Sequence, residues 1–278
     1  MHRFIQKQTF KDKNMEATVW KYEFSGPEDR ERMIEKVKIS AQFDMRYRGL
    51  FQFYGDALID YKQKIGTNKS GTEFLRVLAK YFTDNHEDTP LYSWNDCQSS
   101  FWEEFIFVYY PHLMKISKEE KQSRIFLSQL ENFVKWLDQD IGTSCYPIIQ
   151  TYLKDAASEL YDCERLLNQL YLLDYPTIHQ EDWNFEKEFT RGITELEQAK
   201  EVHNSIFQIL KTHGRIIYVK DIDTKEDYKI MDMPSHLMKQ GMLLDGFIAI
   251  HETDSYWRWN TTLGIFPERA KKYIKFVG

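Results

Sequence analysis

The strongest constraint on the fold is the stretch from Trp94 to Leu137, which joins two apolar segments through a polar turn. In the first segment, Phe101, Phe105 and Val108 follow the i, i+4, i+7 spacing of one helix face. The second segment repeats this pattern at Ile125, Phe126, Leu130, Phe133, Val134 and Leu137. Because the connection is short, each face is the nearest partner for the other. We therefore expect a helical hairpin that forms the centre of the core.

Further helices are predicted where apolar residues recur at helical spacing between turn signals. Pro27 follows Ser25 and Gly26 and precedes two acidic residues, which is typical of a helix start. Pro147 fits the first turn of a later helix in the same way. The predicted helical ranges are about 27–40, 45–64, 72–82, 144–173 and 182–210, with a loop at 68–71.

The sequence changes character at Gly214, after which short runs rich in β-branched and aromatic residues replace the helical spacing. The predicted strands are 215–220, 228–231, 243–251, 256–259 and 263–266. Pro267 is expected to start a terminal helix whose inward residues are Ala270, Tyr273, Ile274 and Val277. The predicted fold class is α+β and mainly α: an arm or strand at 1–24, a helical domain at 25–212, and a small antiparallel β barrel or roll with a terminal helix at 214–278.

Several common chemistries lack their sequence signatures. No Cys-x-x-Cys or His-Glu-x-x-His motif is present, and the eight histidines are scattered, so no metal site is predicted. Neither a glycine-rich phosphate loop nor a Gly-x-Ser-x-Gly elbow occurs, so no cofactor and no catalytic residue are predicted. The sequence leans towards a protein that is not an enzyme, although a site assembled from distant residues stays open.

A few residues allow two interpretations. Cys97 follows Asp96 at a predicted helix start, where a thiol can be activated, but a buried and inert thiol is the alternative. The carboxylate pair Glu103 and Glu104 is either an acid–base pair or the wet face of a helix. Asp138 and Asp140 are similarly either an acid–base pair or the end of a helix.

The bulk composition indicates a cytoplasmic protein without a membrane segment. The formal net charge is −6, and the three cysteines are widely spaced, which favours reduced thiols. No apolar run approaches the length of a membrane span, and the N-terminus has no apolar signal core.

The function predicted from these patterns is binding, with a protein partner as the first hypothesis. Aromatic residues of the β region are the candidate surface, namely Tyr256, Trp257 and Trp259, with Arg258 on the opposite strand face. The alternative is nucleic-acid binding, in which these aromatics stack on bases while Lys271 and Lys272 contact phosphates. An enzyme is the third hypothesis, and a pocket lined by clustered His, Asp or Glu would favour it.

The run from Leu75 to Leu137 resembles the helical core-binding domain of tyrosine recombinases, with aromatic-rich helices joined by a turn at 116–120. The catalytic half of that family needs an Arg, a His-x-x-Arg motif and a tyrosine nucleophile in a larger domain. No His-x-x-Arg occurs in this chain. The sequence therefore does not predict membership of that family.

Overall fold

The computed structural model describes residues 5–12, 15–86, 91–252 and 254–274, with side chains described from residue 22 onward except those of residues 185, 189 and 195. The helices are α1 (Pro27–Ser40), α2 (Gly55–Ile65), α3 (Lys69–His86), α4 (Ser99–Glu104), α5 (Tyr110–His112), α6 (Gln122–Trp136), α7 (Tyr146–Asp174) and α8 (Phe185–Glu197). The strands are β1 (Ile5–Asp12), β2 (Met15–Tyr22), β3 (Glu201–His213), β4 (Ile216–Asp221), β5 (Asp227–Met231), β6 (Leu243–Ile250) and β7 (Trp257–Phe266). The α+β class with a mainly helical content is confirmed.

The predicted hairpin lies at the centre of the core. A π-helical segment, Phe105–Tyr109, joins α4 to α5, and α6 packs against it. The ring of Phe126 lies 5.5 Å from that of Phe105 and stacks on Tyr110 at 3.6 Å. Trp102 and Phe105 are fully buried, as the helical spacing predicts for the apolar face. The mutual packing of the two segments is thus confirmed.

Two carboxylates fix the starts of α6 and α7. Glu164 of α7 is fully buried and accepts hydrogen bonds from the backbone N–H groups of Gln122 (2.7 Å) and Ser123 (3.0 Å) at the start of α6. Asp138 accepts from the N–H groups of Cys145 (2.8 Å) and Tyr146 (2.9 Å) at the start of α7. Both satisfy donors that a helix leaves open at its first turn. The interpretation of Asp138 as part of a helix end is therefore confirmed.

Most helical predictions match the structure, with two local differences. α1 and α3 cover the predicted ranges 27–40 and 72–82, and α7 covers the predicted range 144–173 except its first two residues. The predicted loop at 68–71 is instead the start of α3, because the Asn68 side chain accepts a hydrogen bond from Gly71 N at 3.0 Å. Residues 45–64 divide into a 3-10 helix, Tyr47–Phe51, and α2, which ends at Gly66 with a positive φ of 55°.

The helical prediction for residues 201–210 is wrong. This segment forms the first ten of the 13 residues of β3, so the sheet begins ahead of the predicted boundary at residue 214. Phe207 and Ile209 are buried, while Gln208 between them is only half-buried, which is the period-2 pattern of a strand. Val202, Ile206 and Leu210 match a helical spacing equally well, so periodicity alone misassigned them.

The five C-terminal strands form a mixed sheet. Their order is β3-β4-β5-β7-β6, and β6 also pairs with β3, so the pairing closes on itself. The prediction that every pair is antiparallel is wrong, because β5 and β7 run parallel. The predicted strands 256–259 and 263–266 are one continuous strand, β7. β1 and β2 pair in a separate antiparallel hairpin, which agrees with the strand expected in residues 1–24.

The predicted terminal helix is shorter and of another type. Glu268–Lys272 forms a 3-10 helix with Ala270 buried, and Ile274 packs on the adjoining cluster of Ile222, Leu243 and Phe266. Val277 lies outside the described residues. Burial of Ala270 is thus as expected, but the hydrogen-bonding pattern is not.

Ion pairs connect the sheet to the helices. Arg269 contacts Glu159 at 2.6 Å and Asp155 at 3.3 Å, both on α7, and its guanidinium lies 4.4 Å from the ring centre of Phe107. Lys239 pairs with Asp162 on the same helix. These contacts accompany the packing of α5 and α7 against β7. Arg269 and Lys239 therefore connect the C-terminal region to α7.

We predict that Glu164→Ala lowers the free energy of unfolding by about 2–3 kcal/mol, because buried donors at the start of α6 lose their acceptor. Glu164→Gln should cost less, since an amide oxygen still accepts. Urea denaturation followed by circular dichroism measures both. Glu119→Ala removes only an exposed ion pair with Lys121 and is the control. Equal losses for Glu164→Ala and the control would contradict this role of Glu164.

Candidate functional site

The two predicted tryptophans face the interior of the sheet. Trp257 meets Tyr228 edge-on at 5.3 Å, and Trp259 meets Phe207 at 6.0 Å. The indole N–H of Trp259 donates to Thr262 Oγ1 at 2.8 Å. Both rings are half-buried and pack on the main core. Their side chains thus contribute to the sheet's own packing.

Arg258 lies on the opposite face of β7, as the alternation of the strand predicts. Its side chain is 63% exposed and donates to Asp254 Oδ1 at 2.9 Å. Tyr256 is half-buried and precedes the first residue of the strand. Of the four predicted residues at positions 256–259, only Arg258 has an exposed side chain.

The predicted phosphate-binding lysines are already engaged, Lys272 with the helical part and Lys271 with strand β3. Lys272 Nζ contacts Glu103 Oε2 at 2.8 Å, and Tyr273 donates to the same oxygen at 2.9 Å. Lys271 Nζ donates to Gln208 Oε1 at 2.6 Å. Glu103 is buried, so the interpretation of this residue as part of a wet helix face is wrong. The structure therefore separates these lysines from the β7 aromatics that they were predicted to assist.

A different set of residues forms a cationic and aromatic surface on β3, β4 and β5. Lys211 is the register partner of Tyr218, which is in turn the partner of Lys229. All three project from the face opposite the buried residues Ile217 and Val219. The ammonium groups of Lys211 and Lys229 lie 4.7 Å and 5.9 Å from the centre of the Tyr218 ring. Tyr218 is thus flanked by two positive charges.

A second row of side chains lies beside the first. Ile216 pairs with Met231, and Met231 pairs with Arg258 across the parallel strands. We call the six residues of both rows the outer face: Lys211, Tyr218, Lys229, Ile216, Met231 and Arg258. This face brings the predicted residue Arg258 together with five residues that the sequence did not single out.

Charges around the outer face are partly neutralised. Lys220 pairs with Asp227 at 2.8 Å, and Arg215 pairs with Asp232. Among the described residues, no carboxylate forms an ion pair with Lys211 or Lys229, and both side chains are exposed. The centre of the surface therefore retains positive charge for a ligand.

A buried carboxylate holds the turn between β4 and β5. Asp221 is fully buried, lies 2.6 Å from His203 Nε2, and accepts from Ser205 Oγ at 2.8 Å and from the N–H groups of Asp223 (2.7 Å) and Thr224 (3.1 Å). Burial by itself raises the pKa of Asp221, but these hydrogen bonds outweigh it, so the pKa lies below its ordinary value. The turn that positions the two central strands is thus fixed electrostatically.

Thiol and metal chemistry finds no support in the described part of the chain. Cys97 is buried, and burial raises the pKa of its thiol, which favours the inert interpretation. No group of three or more His, Cys, Asp or Glu side chains among the described residues is arranged to hold a metal ion.

Comparisons with known proteins gave no relative. No protein-family model, curated protein or solved structure matches this chain. In the described residues, no helix has the length and apolarity needed to cross a membrane. The site must therefore be interpreted from its own geometry.

The sequence contains a signal for two residues of the outer face. Tyr218 and Lys229 both lie in predicted strands, and the alternation of those strands puts them opposite the apolar residues. Lys211 has no such signal, because it lies between the predicted helix that ends at about residue 210 and the first predicted strand. The register between consecutive strands then decides which of these residues become neighbours.

We predict that Asp221→Asn lowers the free energy of unfolding by about 2 kcal/mol at pH 7, because charge-assisted hydrogen bonds are weakened. Since the folded pKa is depressed, the stabilisation is complete above the ordinary pKa of an aspartate and is lost as the pH falls through the folded value. The difference in the free energy of unfolding between wild type and variant should therefore become smaller below about pH 4.

Urea midpoints at pH 7 and at pH 3 measure this difference. The exposed neighbour Asp223 provides the control, and Asp223→Asn should change stability by less than about 0.5 kcal/mol. If Asp221→Asn lowers the stability by the same amount at both pH values, the electrostatic role of Asp221 is refuted.

Proposed function

We propose that the protein binds single-stranded nucleic acid on the outer face of its C-terminal sheet. The observation that carries this proposal is the position of Tyr218 between Lys211 and Lys229. An aromatic ring offers a stacking platform for any base, and flanking lysines neutralise the phosphates on either side of it. Arg258 at the end of the second row supplies another exposed cation.

The strand topology supports this proposal. Counted from β3 as the first strand, the order is 1-2-3-5-4, the fourth strand pairs back with the first, and strands 3 and 5 are parallel. This is the arrangement of the small Greek-key barrel known as the oligonucleotide-binding fold. In that fold the ligand lies across the outer surface of strands 2 and 3, which here are β4 and β5. The likeness concerns topology, and the residues of the surface supply the functional argument.

Access to the outer face favours the same assignment. In the part of the chain that the structure describes, the helices pack mainly against β7 and the 3-10 turn Ser235–Leu237. Lys211 and Lys229 are exposed, and Tyr218 is partly exposed. A strand of nucleic acid can therefore reach this surface without rearrangement of the body.

The hypothesis of a protein partner that docks on Trp257 and Trp259 stays a prediction. Both indoles already contact aromatic rings of the sheet, which leaves less of their surface for a partner. The nucleic-acid hypothesis instead rests on side chains that are exposed and positively charged. We therefore place it first.

Tyr218→Ala should weaken binding to a fluorescent single-stranded oligonucleotide by about 5- to 150-fold, the range expected for loss of one stacked base. Tyr218→Phe keeps the ring and should bind within about twofold of wild type. Fluorescence anisotropy with DNA and RNA of equal length measures both variants. Equal affinity for wild type and Tyr218→Ala would exclude stacking on this residue, and absence of binding at low salt would exclude the proposed function.

Lys229→Ala should reduce the slope of log Kd against log salt concentration by about 0.7, because one phosphate contact with a single strand is lost. Lys154→Ala is the matched control, since Lys154 is an exposed lysine on α7. Its slope should equal that of wild type. A slope lowered equally by both substitutions would indicate a diffuse charge effect instead of a site on the outer face.

A further inference from the structure

A second feature of the molecule is a cleft of about 610 Å³ between the helices and the sheet. Its helical wall comes from the end of α3 and from the segment that runs from α4 to α5, including His86, Glu104 and Tyr109. Its other wall comes from the sheet and the chain after it, including Asp245 and Phe266. The volume lies within the range of small-molecule sites, and a position between two parts of a fold is common for them.

Asp245 is the least compensated acidic group in this cleft. It lies on β6 between its register partners Ile206 and Gly264, and no described residue donates a hydrogen bond to its carboxylate. Burial raises the pKa of Asp245, and the charge of His112 acts in the opposite direction. A positively charged group in the cleft would therefore stabilise the ionised carboxylate.

The cleft is lined by two carboxylates, Asp245 and Glu104, and by two histidines, His86 and His112. Glu104 provides a second carboxylate from the helical wall. Burial lowers the pKa of His86, and neither of its buried ring nitrogens bonds to a described residue, so this histidine is neutral near pH 7. None of the described residues that line the cleft is a lysine or an arginine. The nearby lysines Lys80 and Lys272 are paired with Asp84 and Glu103.

Aromatic rings border the two carboxylates. Tyr109 and Tyr273 line the cleft together with Phe266, and their hydroxyl groups donate to Asp84 (2.7 Å) and Glu103 (2.9 Å). These hydrogen bonds fix the positions of the tyrosine rings. Ring faces attract cations, and the attraction increases where water is excluded.

Both walls depart from regular secondary structure at this place. The π-helical segment Phe105–Tyr109 carries the cleft residues Val108 and Tyr109. The register of β6 with β7 shifts between Asp245 and Gly246. Such bulges re-aim side chains and are concentrated at functional sites in both helices and sheets.

We propose that this cleft binds a small organic cation, an amine or quaternary ammonium on an apolar group, between Asp245 and Glu104 and against the rings of Tyr109, Phe266 and Tyr273. The carboxylates supply charge attraction, and the rings and Val108 supply apolar contact. This site does not depend on nucleic-acid binding, because an acidic cleft repels phosphates. Its ligand is thus of opposite charge to the ligand proposed for the outer face.

Isothermal titration calorimetry with benzyltrimethylammonium, benzylamine, benzyl alcohol and benzoate tests the proposal. Both cations should bind at least about tenfold more tightly than the neutral alcohol, and benzoate should bind most weakly. Asp245→Asn and Glu104→Gln should each weaken benzyltrimethylammonium binding by about tenfold. Asp232 forms an exposed ion pair outside the cleft, so Asp232→Asn should leave the affinity for benzyltrimethylammonium unchanged.

The variants also separate binding from folding. Because the folded pKa of Asp245 is raised, its ionised form costs stability near neutral pH, so Asp245→Asn should keep or raise the melting temperature. Loss of binding in a variant of unchanged melting temperature supports the site. Equal affinity for the cations and benzyl alcohol, unchanged affinity in both cleft variants, or no binding of either cation at millimolar concentration would overturn the proposal.

Discussion

Helix α7 is the element on which the rest of the structure depends. It has 29 residues, and its buried side chains, among them Ala156, Leu160 and Leu167, run along most of its length. Through Glu164 it fixes the start of α6, and through Asp155, Glu159 and Asp162 it binds the sheet by Arg269 and Lys239. A helix of this length can contact both parts of the chain at once. The positions of the hairpin, the sheet and the cleft between them all follow from it.

The distribution of charge explains why bulk composition says little about ligands here. Residues 151–200 carry 5 basic and 11 acidic residues, and several of these acids meet the basic side chains of the C-terminal region. Several lysines and arginines that the sequence suggests could bind a ligand are thus already paired with carboxylates of the same molecule. Two local features then differ in charge, namely a small positive surface at Lys211 and Lys229 and a cleft that contains the carboxylates of Asp245 and Glu104. Local arrangement, not net charge, therefore decides what each surface attracts.

The outer face and the cleft depend on different kinds of backbone structure. On β4 and β5 the outward residues alternate with buried ones, so a regular strand is sufficient to present Tyr218. At Asp245, by contrast, the strand register shifts, and the facing wall of the cleft contains a π-helical segment. The irregular backbone makes the cleft, whereas the regular backbone makes the face.

Helical spacing in the sequence was sufficient to determine the hairpin of α4 to α6 and the ranges of α1, α3 and α7, because each of these helices buries one continuous apolar stripe. Alternation likewise determined β4, β5 and the opposite orientations of Trp257 and Arg258. It did not determine β3, whose apolar residues match both periods, nor the parallel pairing of β5 with β7. Only the tertiary structure decided that Lys272 pairs with Glu103, that Lys211 lies beside Tyr218, and that Asp245 faces α5. The reason is physical: a period is a property of one segment, whereas an ion pair, a cleft or a binding surface depends on how different segments come together.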